Sequence, residues 1–402
     1  MDIKIPTKAF NWEASDRVKK LPPYLFAEID RQKRELIKQG KQVIDLGVGD
    51  PDIPTPGFII DALSEAARDP SNHRYALDAG MPIFRESVAN WFARRFNVKV
   101  DTAKEILPLI GSKEGIAHLP LAVVNPGDVV LVPDPGYPVY KSSTWFAGGE
   151  VVLMPLLEQN HFLPDFDAIP QDKLAKAKLM FLNYPNNPTS ALGTLDFFKK
   201  AVEFARQHKI IIAHDAAYSE FAYDGVKAPS ILEVEGAGDV AIELHSLSKT
   251  FNMTGWRVGF AVGNPQVIAL LGKIKSNIDS GIFQAVQLAA KAALDNGHAA
   301  WQQNLLTYQS RRDMLVDGFN KMGWPLEKPK STFYCWIPVP PGYTSAELVM
   351  HFLNEMNIVV TPGNGFGPNG EGYFRISLTV PETRIQEALS RIAASHKHLH
   401  KA

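Results

Sequence analysis

The order of apolar and polar residues predicts an α/β fold. Between residues 44 and 290, short apolar runs alternate with longer stretches of helical periodicity such as residues 195–207. Runs that are apolar at every position need cover on both faces, as in a parallel sheet. We predict strands at residues 129–132, 151–154, 179–182, 210–213, 240–244 and 258–262. This alternation predicts a doubly wound, mostly parallel sheet with helices on both faces.

The pattern changes on either side of this region. After residue 290 we predict a long helix over 300–322, strands at 333–337, 358–361 and 372–377, and a helix that ends the chain. At the other end, Pro22 and Pro23 interrupt the chain, and a charged helix follows over 24–39 and stops at Gly40.

The length of 402 residues exceeds what one hydrophobic core usually serves, so the prediction is of two domains. A large domain would span 46–295 and a smaller α+β domain 296–402. Residues 1–45 would form an arm and complete the smaller domain.

Composition narrows the functional classes. With 45% apolar residues, 21% charged residues and a formal net charge of -1, the chain is typical of a globular protein without an extended nucleic-acid-binding surface. The sequence has no uncharged apolar run of about 20 residues and no apolar signal segment near its start. Cys335 is the only cysteine, which indicates a reducing compartment. We therefore expect a cytoplasmic protein with neither nucleic-acid nor membrane partners.

We expect no metal site either. His396, His398 and His400 alternate with other residues close to the C-terminus, a pattern typical of a solvated tail.

Chemically capable residues follow three of the predicted strands. Asn187 comes after 179–182, Asp215 and Tyr218 come after 210–213, and Ser246, Ser248 and Lys249 come after 240–244. Ligands of open α/β sheets bind outside the carboxyl ends of the strands, so these residues are expected to meet. A lysine in the turn after a buried strand, with two serines beside it and Arg257 eight residues on, suits a Schiff base and a bound phosphate.

Two further loops belong to the same candidate site. Residues 111–115 open a helix, and the free backbone N–H groups there would bind an anion. Tyr137 follows the strand at 129–132 and places an aromatic ring nearby. Each residue also has an ordinary interpretation: Lys249 in a solvated loop, Asp215 as a helix cap, Arg257 in a surface ion pair. Their coincidence at one sheet edge favours a cofactor site.

These motifs, in this order, resemble the fold-type I aminotransferases that use pyridoxal 5′-phosphate, and the resemblance covers nearly the whole chain. It rests on a glycine at the start of the large domain, Gly-Ser-Lys at a helix start, Asn before Pro-Thr, Ser-x-Ser-Lys and a late arginine, which are here Gly47, Ser112 with Lys113, Asn187, Ser246 to Lys249 and Arg375. The resemblance implies a mostly parallel sheet in a large domain, a smaller α+β domain, and a homodimer with shared sites.

The resemblance also implies residue roles. Lys249 would hold the cofactor and act as the general base, and Asp215 would pair with the pyridine nitrogen. Tyr218 and Asn187 would donate to the ring's phenolic oxygen, and Tyr137 would stack on the ring. The phosphate would be held by Ser112, the amide of Lys113, Ser246, Ser248, Arg257 and, from a partner subunit, Tyr75. The substrate α-carboxylate would bind Arg375, aided by Asn187 and the backbone of Gly47.

Some stretches look like the LL-diaminopimelate aminotransferase subgroup, notably 21–26, 46–52, 245–262 and 361–367. That likeness implies amino transfer between LL-diaminopimelate and 2-oxoglutarate, giving tetrahydrodipicolinate and glutamate, in lysine biosynthesis. Lys113 would hold the distal charge of the substrate, and Tyr24 would cover it. Alanine or aspartate aminotransferase activity is the alternative within the same class.

Two alternatives come from other classes. A dinucleotide-dependent oxidoreductase would carry Gly-x-Gly-x-x-Gly after its first strand, but Asp52 stands where the third glycine belongs. A non-enzymatic regulator on the same fold would need a DNA-binding module and a basic surface.

Ser190 departs from the resemblance, because the family often has glycine at this place. If the backbone there has a positive φ, a serine costs about 1 kcal/mol locally while removing no catalytic group.

Overall fold

The computed structural model describes residues 12–21, 25–76 and 79–395, with the side chains of 25–28 left aside. The described residues form fourteen α-helices, numbered α1 to α14 in chain order: Asp16–Lys19, Leu25–Lys38, Gly57–Arg68, Pro82–Phe96, Ser112–Val123, Val139–Phe146, Gln171–Leu174, Leu195–His208, Leu247–Thr250, Pro265–Lys275, Gln284–Asn296, His298–Lys321, Ser345–Met356 and Glu382–Ser395. They form twelve strands, numbered β1 to β12: Ile44–Asp45, Ile106–Leu109, Val129–Asp134, Glu150–Pro155, Ala177–Asn183, Ile211–Asp215, Ala241–Ser246, Gly259–Gly263, Tyr334–Pro338, Ile358–Val359, Thr361–Pro362 and Tyr373–Ser377.

A seven-stranded sheet forms the centre of the molecule, in the order β2-β8-β7-β6-β5-β3-β4. Strands β4, β3, β5, β6 and β7 run parallel, while β8 runs antiparallel to both of its neighbours. Every residue of β3 and β8 is buried, as expected of strands covered on both faces. The sheet is therefore mixed, with mostly parallel strands.

All six strands predicted in this region are present, each within two residues of the predicted bounds. Strand β2 was not predicted, because it has only four residues and includes Pro108. The antiparallel direction of β8 was not predicted either, since its apolar run resembles that of its parallel neighbours.

Outside the large sheet, segments from both ends of the described chain pack together and form a second layer. Strands β11, β12 and β9 form a three-stranded antiparallel sheet, and β1 pairs in parallel with β10. Ile29, Ile44 and Leu46 pack into one apolar core with residues from α12, α13, α14 and β9. The strand predicted at 358–361 is divided at Val360 into β10 and β11, because each half pairs with a different partner. The domain boundaries themselves remain a prediction.

Within the described residues, no helix is long and apolar enough to cross a membrane. The histidines at 396, 398 and 400 lie outside the described residues.

Candidate functional site

Three adjacent strands deliver polar residues to one edge of the large sheet. Strands β5, β6 and β7 are neighbours, and they end at Asn183, Asp215 and Ser246. Asn183 stands opposite Asp215 in the register of the β5–β6 pair. Because these strands are parallel, their carboxyl ends and the loops that follow lie side by side.

A cavity of about 380 Å³ opens at this edge, within the range of small-molecule sites. Eleven of the predicted site residues line it: Ser112, Lys113, Tyr137, Asn187, Asp215, Tyr218, Ser246, Ser248, Lys249, Arg257 and Arg375. The structure therefore brings together residues separated by more than 250 positions.

Lys249 lies in the short helix α9, one turn after β7, and not in a simple turn as its sequence context suggests. Its Nζ donates a hydrogen bond of 2.7 Å to the carbonyl of Gly49. Burial lowers the pKa of Lys249 to about 8; Asp50 opposes this effect, and the charges of Arg375 and Arg257 reinforce it. A larger fraction of this amine is therefore neutral near pH 7 than of an exposed lysine, which favours nucleophilic and base chemistry.

Asp215 is a buried carboxylate that belongs to no ion pair among the described residues. Tyr140 donates to its Oδ2 at 2.8 Å, and the side-chain amide of Asn183 donates to its carbonyl at 2.8 Å. Burial raises the pKa of Asp215, although the Tyr140 bond and the backbone N–H of Ala217 counteract it. A cation bound against Oδ1 and Oδ2 would stabilise the charged carboxylate.

Tyr218 and Tyr334 connect the sheet edge to the second layer. Their hydroxyl oxygens are 3.0 Å apart, and both rings line the cavity. Burial, followed by the neighbouring Tyr334 hydroxyl, raises the pKa of Tyr218 well above its ordinary value. Tyr218 is therefore a hydrogen-bond donor rather than a phenolate.

One end of the cavity is suited to an anion. Gly111 precedes α5 with a φ of +77°, and a Cβ on it would lie only 2.5 Å from Nη2 of Arg257. The first turn of α5 begins with Ser112, and its free N–H groups add to the positive potential. Arg257 donates to the carbonyl of Thr254 and forms no ion pair with a described carboxylate. Ser246 and Ser248 complete this end of the cavity.

A second guanidinium also lacks a carboxylate partner among the described residues. Arg375 is buried, and it donates to Oδ1 of Asn187 and to the carbonyl of Gly47, both at 2.7 Å. The rings of Tyr334 and Phe366 lie 4.1 and 4.8 Å from its central carbon. Neutral acceptors and two aromatic rings hold this cation in place while leaving its charge uncompensated, as an anion-binding arginine requires.

Three predicted residues do not line this cavity. Gly47 lies behind it and contacts Arg375 through its carbonyl. Tyr75 is 85% exposed and is not part of the cavity within one chain. Tyr24 lies outside the described residues.

The sequence reasoning missed several residues of the site. Tyr140, Asn183, Tyr334, Phe366 and Gly49 all contact it, yet none was singled out. Asn183 directly follows the strand predicted at 179–182, so its position after a buried strand could have identified it. Tyr140 and Tyr334 carried no such signal, because packing alone brings their hydroxyls to the site.

Comparisons with known proteins agree with this geometry. The profile of the family "Aminotransferase class I and II" matches residues 41–392. LL-diaminopimelate aminotransferase of Nitratidesulfovibrio vulgaris is 57% identical over 383 residues, which are 95% of this chain and 99% of the relative. The enzyme of the same name from Aquifex aeolicus is 56% identical over 95% of this chain and 98% of its own.

Solved structures show the same fold. The substrate-bound BacF structure from Bacillus subtilis is 40% identical and superposes with a TM-score of 0.93 over 96% of this chain and 98% of its own. A double mutant of Thermus thermophilus aspartate aminotransferase is 28% identical, with a TM-score of 0.88 over 96% of this chain and 100% of its own. These similarities and the geometry of the cavity agree that this chain belongs to the class I and II aminotransferases.

Proposed function

We propose that this enzyme transfers an amino group from LL-diaminopimelate to 2-oxoglutarate, giving tetrahydrodipicolinate and glutamate, with pyridoxal 5′-phosphate as its cofactor. One observation carries the reaction class: a partly buried lysine with a lowered pKa shares a cavity with two guanidinium groups that have no carboxylate partner among the described residues. The substrate is supported by curated relatives that are 53–57% identical over nearly their full length.

The cavity fits pyridoxal 5′-phosphate at three points. The amine of Lys249 suits the aldehyde, and the buried carboxylate of Asp215 suits a protonated pyridine nitrogen. The N-terminus of α5, together with Arg257, suits the phosphate. When bound, the cofactor supplies an aldehyde for the substrate amine and a ring that accepts electrons from the α-carbon.

Lys249 acts as the general base of the reaction. Once its Nζ is free, it takes the proton from the α-carbon of the substrate amino acid. The carbonyl of Gly49 accepts a hydrogen bond from this amine and limits its position. Burial keeps a useful fraction of the amine neutral, which a base at this place needs.

Asp215 keeps the pyridine nitrogen protonated, because a buried carboxylate favours a cation beside it. Tyr140 and Asn183 hold Asp215 from behind. Tyr218 and Asn187 would donate hydrogen bonds to the phenolic oxygen of the cofactor, and Tyr137 would cover one face of its ring.

The phosphate is held by backbone and side-chain donors. These are Ser112, the amide of Lys113, Ser246, Ser248 and Arg257. Arg257 offers a planar pair of N–H groups, a geometry that lysine could not reproduce.

Arg375 binds the α-carboxylate of the amino acid and of the oxo acid. Its Nη1 and Nη2 already point at neutral acceptors on Asn187 and Gly47, so its plane is fixed before substrate arrives. Lys113 lines the same cavity, and we propose that it meets the distal charge of the substrate. The part of Tyr24 in covering the substrate stays a prediction.

A panel of amino donors with 2-oxoglutarate tests this function. We expect LL-diaminopimelate to give a kcat/KM at least about tenfold above alanine, which has no distal charge, and aspartate, which carries its distal carboxylate on a shorter chain, because a hydrogen bond to a charged group is worth about 1.5–3 kcal/mol. Activity on alanine or aspartate without activity on LL-diaminopimelate would contradict the substrate and leave the reaction class intact.

We also propose a homodimer in which Tyr75 reaches the phosphate of the partner subunit. Tyr75 and Phe283 expose large aromatic surfaces on one chain, and Gln284 donates to the carbonyl of Tyr75 at 3.5 Å. Such exposure is typical of an interface. Light scattering should give twice the mass of the chain, and Tyr75→Phe should weaken cofactor binding several-fold; an active monomer would contradict both. A cytoplasmic location stays a prediction.

A further inference from the structure

Ser190 has a backbone conformation that a serine adopts only under constraint. Its φ is +61°, in the left-handed region, and the residue is buried. Its N–H donates to the carbonyl of Asn186 at 2.9 Å and closes the turn that carries Asn187. Glycine would take this conformation without the steric penalty of a Cβ, so what distinguishes serine here is the set of contacts that its hydroxyl makes.

The hydroxyl of Ser190 connects this turn to the second layer. It donates to the carbonyl of Tyr334 at 2.7 Å, and Oγ1 of Thr332 lies 2.8 Å away. Because a serine hydroxyl has a single hydrogen, which Tyr334 receives, Ser190 accepts the hydrogen of Thr332. Thr332 in turn accepts from the N–H of Tyr334 at 3.1 Å. The hydroxyl of Ser331 donates to the carbonyl of Ser190 at 2.9 Å, so the turn is held from both sides.

These contacts connect the residues that surround the guanidinium of Arg375. Arg375 bonds Asn187 directly, and its guanidinium lies on the ring of Tyr334. Ser190 joins the turn of Asn187 to the backbone of Tyr334. Asn187 follows β5 of the large sheet and Tyr334 lies in β9 of the small sheet, so the Ser190 hydroxyl links the two segments that contact the arginine.

We propose that Ser190 is a positioning residue for the α-carboxylate site: its hydroxyl ties the Asn187 turn to Tyr334 and so holds Arg375 in its carboxylate-binding orientation before substrate arrives. The inference rests on the proposed function, in which Arg375 binds the α-carboxylate. Amino donor and oxo-acid acceptor share that group, so a loosened arginine weakens both substrates. Because the carboxylate is bound in ground state and transition state alike, KM changes more than kcat.

Two variants separate the hydroxyl from the backbone. Ser190→Ala removes the hydroxyl and keeps a Cβ in the left-handed region, while Ser190→Gly removes both. In the holoenzyme, both variants should raise the KM for amino donor and for 2-oxoglutarate about fivefold, with kcat within about twofold, since one buried hydrogen bond typically corresponds to a factor of about 2–12. The Tm of Ser190→Gly should exceed that of Ser190→Ala by about 1–3 °C, because glycine relieves the backbone.

Two controls accompany them. Thr332→Ser keeps the hydroxyl that Ser190 accepts from and should leave KM unchanged. Ser87→Ala removes another buried hydroxyl, which donates to Asp295 at 3.2 Å on helices α4 and α11, and should change Tm without changing KM.

An unchanged KM in Ser190→Gly would overturn the proposal. A KM that rises only in Ser190→Ala would overturn it too, because the effect would then come from backbone strain. A loss confined to kcat would overturn it too. All ratios are measured with whichever amino acid the wild type accepts. A wild type that rejects LL-diaminopimelate therefore counts against the proposed substrate and not against Ser190.

Discussion

The two parts of the cavity are built in different ways. The sheet-edge half consists of residues at or next to strand termini on one edge of the large sheet, namely Ser112, Asp215, Ser246, Lys249 and Arg257. Here the topology of one sheet brings the residues together, because the parallel strands end at this edge and the antiparallel β8 begins there.

The Arg375 half has no such common origin. It is assembled from loops of the large sheet and from the second layer, namely Gly47, Asn187, Tyr334, Phe366 and Arg375. Its two hydrogen bonds join residues 188 and 328 positions apart. The contrast teaches that one sheet places the sheet-edge residues, whereas Arg375, our proposed carboxylate-binding residue, is held by contacts between distant segments.

The largest effect should come from the sheet-edge half. Lys249→Ala should lower kcat at least about 10³-fold, because the variant lacks the amine that we propose as the general base. Steady-state turnover measures this loss. Borohydride reduction followed by peptide mapping should label Lys249 in the wild type; a label on Lys113 instead would contradict the assignment.

Asp215→Asn should have the next largest effect. Asparagine keeps the shape and can still accept from Tyr140, but it removes the charge that holds the pyridine nitrogen protonated, so kcat should fall about 10²-fold. Tyr140→Phe is the matched control, since it removes only the 2.8 Å hydrogen bond and should lower kcat less than about tenfold. Near-native turnover of Asp215→Asn would contradict the proposal that Asp215 keeps the pyridine nitrogen protonated.

The lowered pKa of Lys249 predicts how the stability of the apoenzyme depends on pH. The folded chain releases this proton near pH 8, while the unfolded chain holds it up to the ordinary value of 10.5. The unfolded state therefore binds more protons between these values, and the free energy of unfolding rises with pH in that window. Below pH 8, Lys249→Met should be more stable than wild type by up to about 3 kcal/mol.

Urea unfolding of both apoproteins at pH 7.5 and at pH 10 measures this difference. The stability gap should shrink toward the higher pH, because Lys249 of the folded wild type is then largely neutral and its burial no longer costs a charge. A gap that stays constant would mean that the amine is not the cause, and would leave only a packing effect of methionine.

Substitutions of Arg375 and Arg257 should have the smallest effects, and they distinguish the two halves of the cavity most selectively. Arg375→Lys should raise the KM of every amino-acid substrate about 30-fold, because lysine cannot make the bidentate contact, and should leave cofactor affinity nearly unchanged. Arg257→Lys should do the reverse, raising the Kd for pyridoxal 5′-phosphate with little change in substrate KM once cofactor is saturating. If either variant changed both quantities equally, the two halves would not be independent.

Much of the sheet-edge half could be predicted from the residue order. Asp215 and Ser246 end strands that were predicted from their apolar runs, and the position of a residue after a buried strand is a local property of the chain. Tyr140 could not be found in this way, because its hydroxyl reaches Asp215 only through the packing of α6 on Phe181 of β5. The antiparallel direction of β8 also escaped, since an apolar run carries no sign of its direction.

Three residues of the Arg375 half were predicted, namely Gly47, Asn187 and Arg375, but its two aromatic residues were not. Arg375 and Asn187 were expected to act together, yet nothing in the sequence indicated that Tyr334 and Phe366 would enclose the guanidinium. The positive φ of Ser190 was a stated condition, and the structure confirms it. The two hydrogen bonds of its hydroxyl were not foreseen.

Residue order alone settles the chemistry of this enzyme: which side chains carry an amine, a carboxylate or a guanidinium, and which strands deliver them. These properties are local, because burial patterns repeat over a few residues and chemical groups belong to single positions. The orientation of Arg375 and the link from Ser190 to Tyr334 depend instead on contacts between loops of the large sheet and the three-stranded sheet. Contacts between residues more than a hundred positions apart leave no periodic trace in the sequence, so the packed structure was needed to find them.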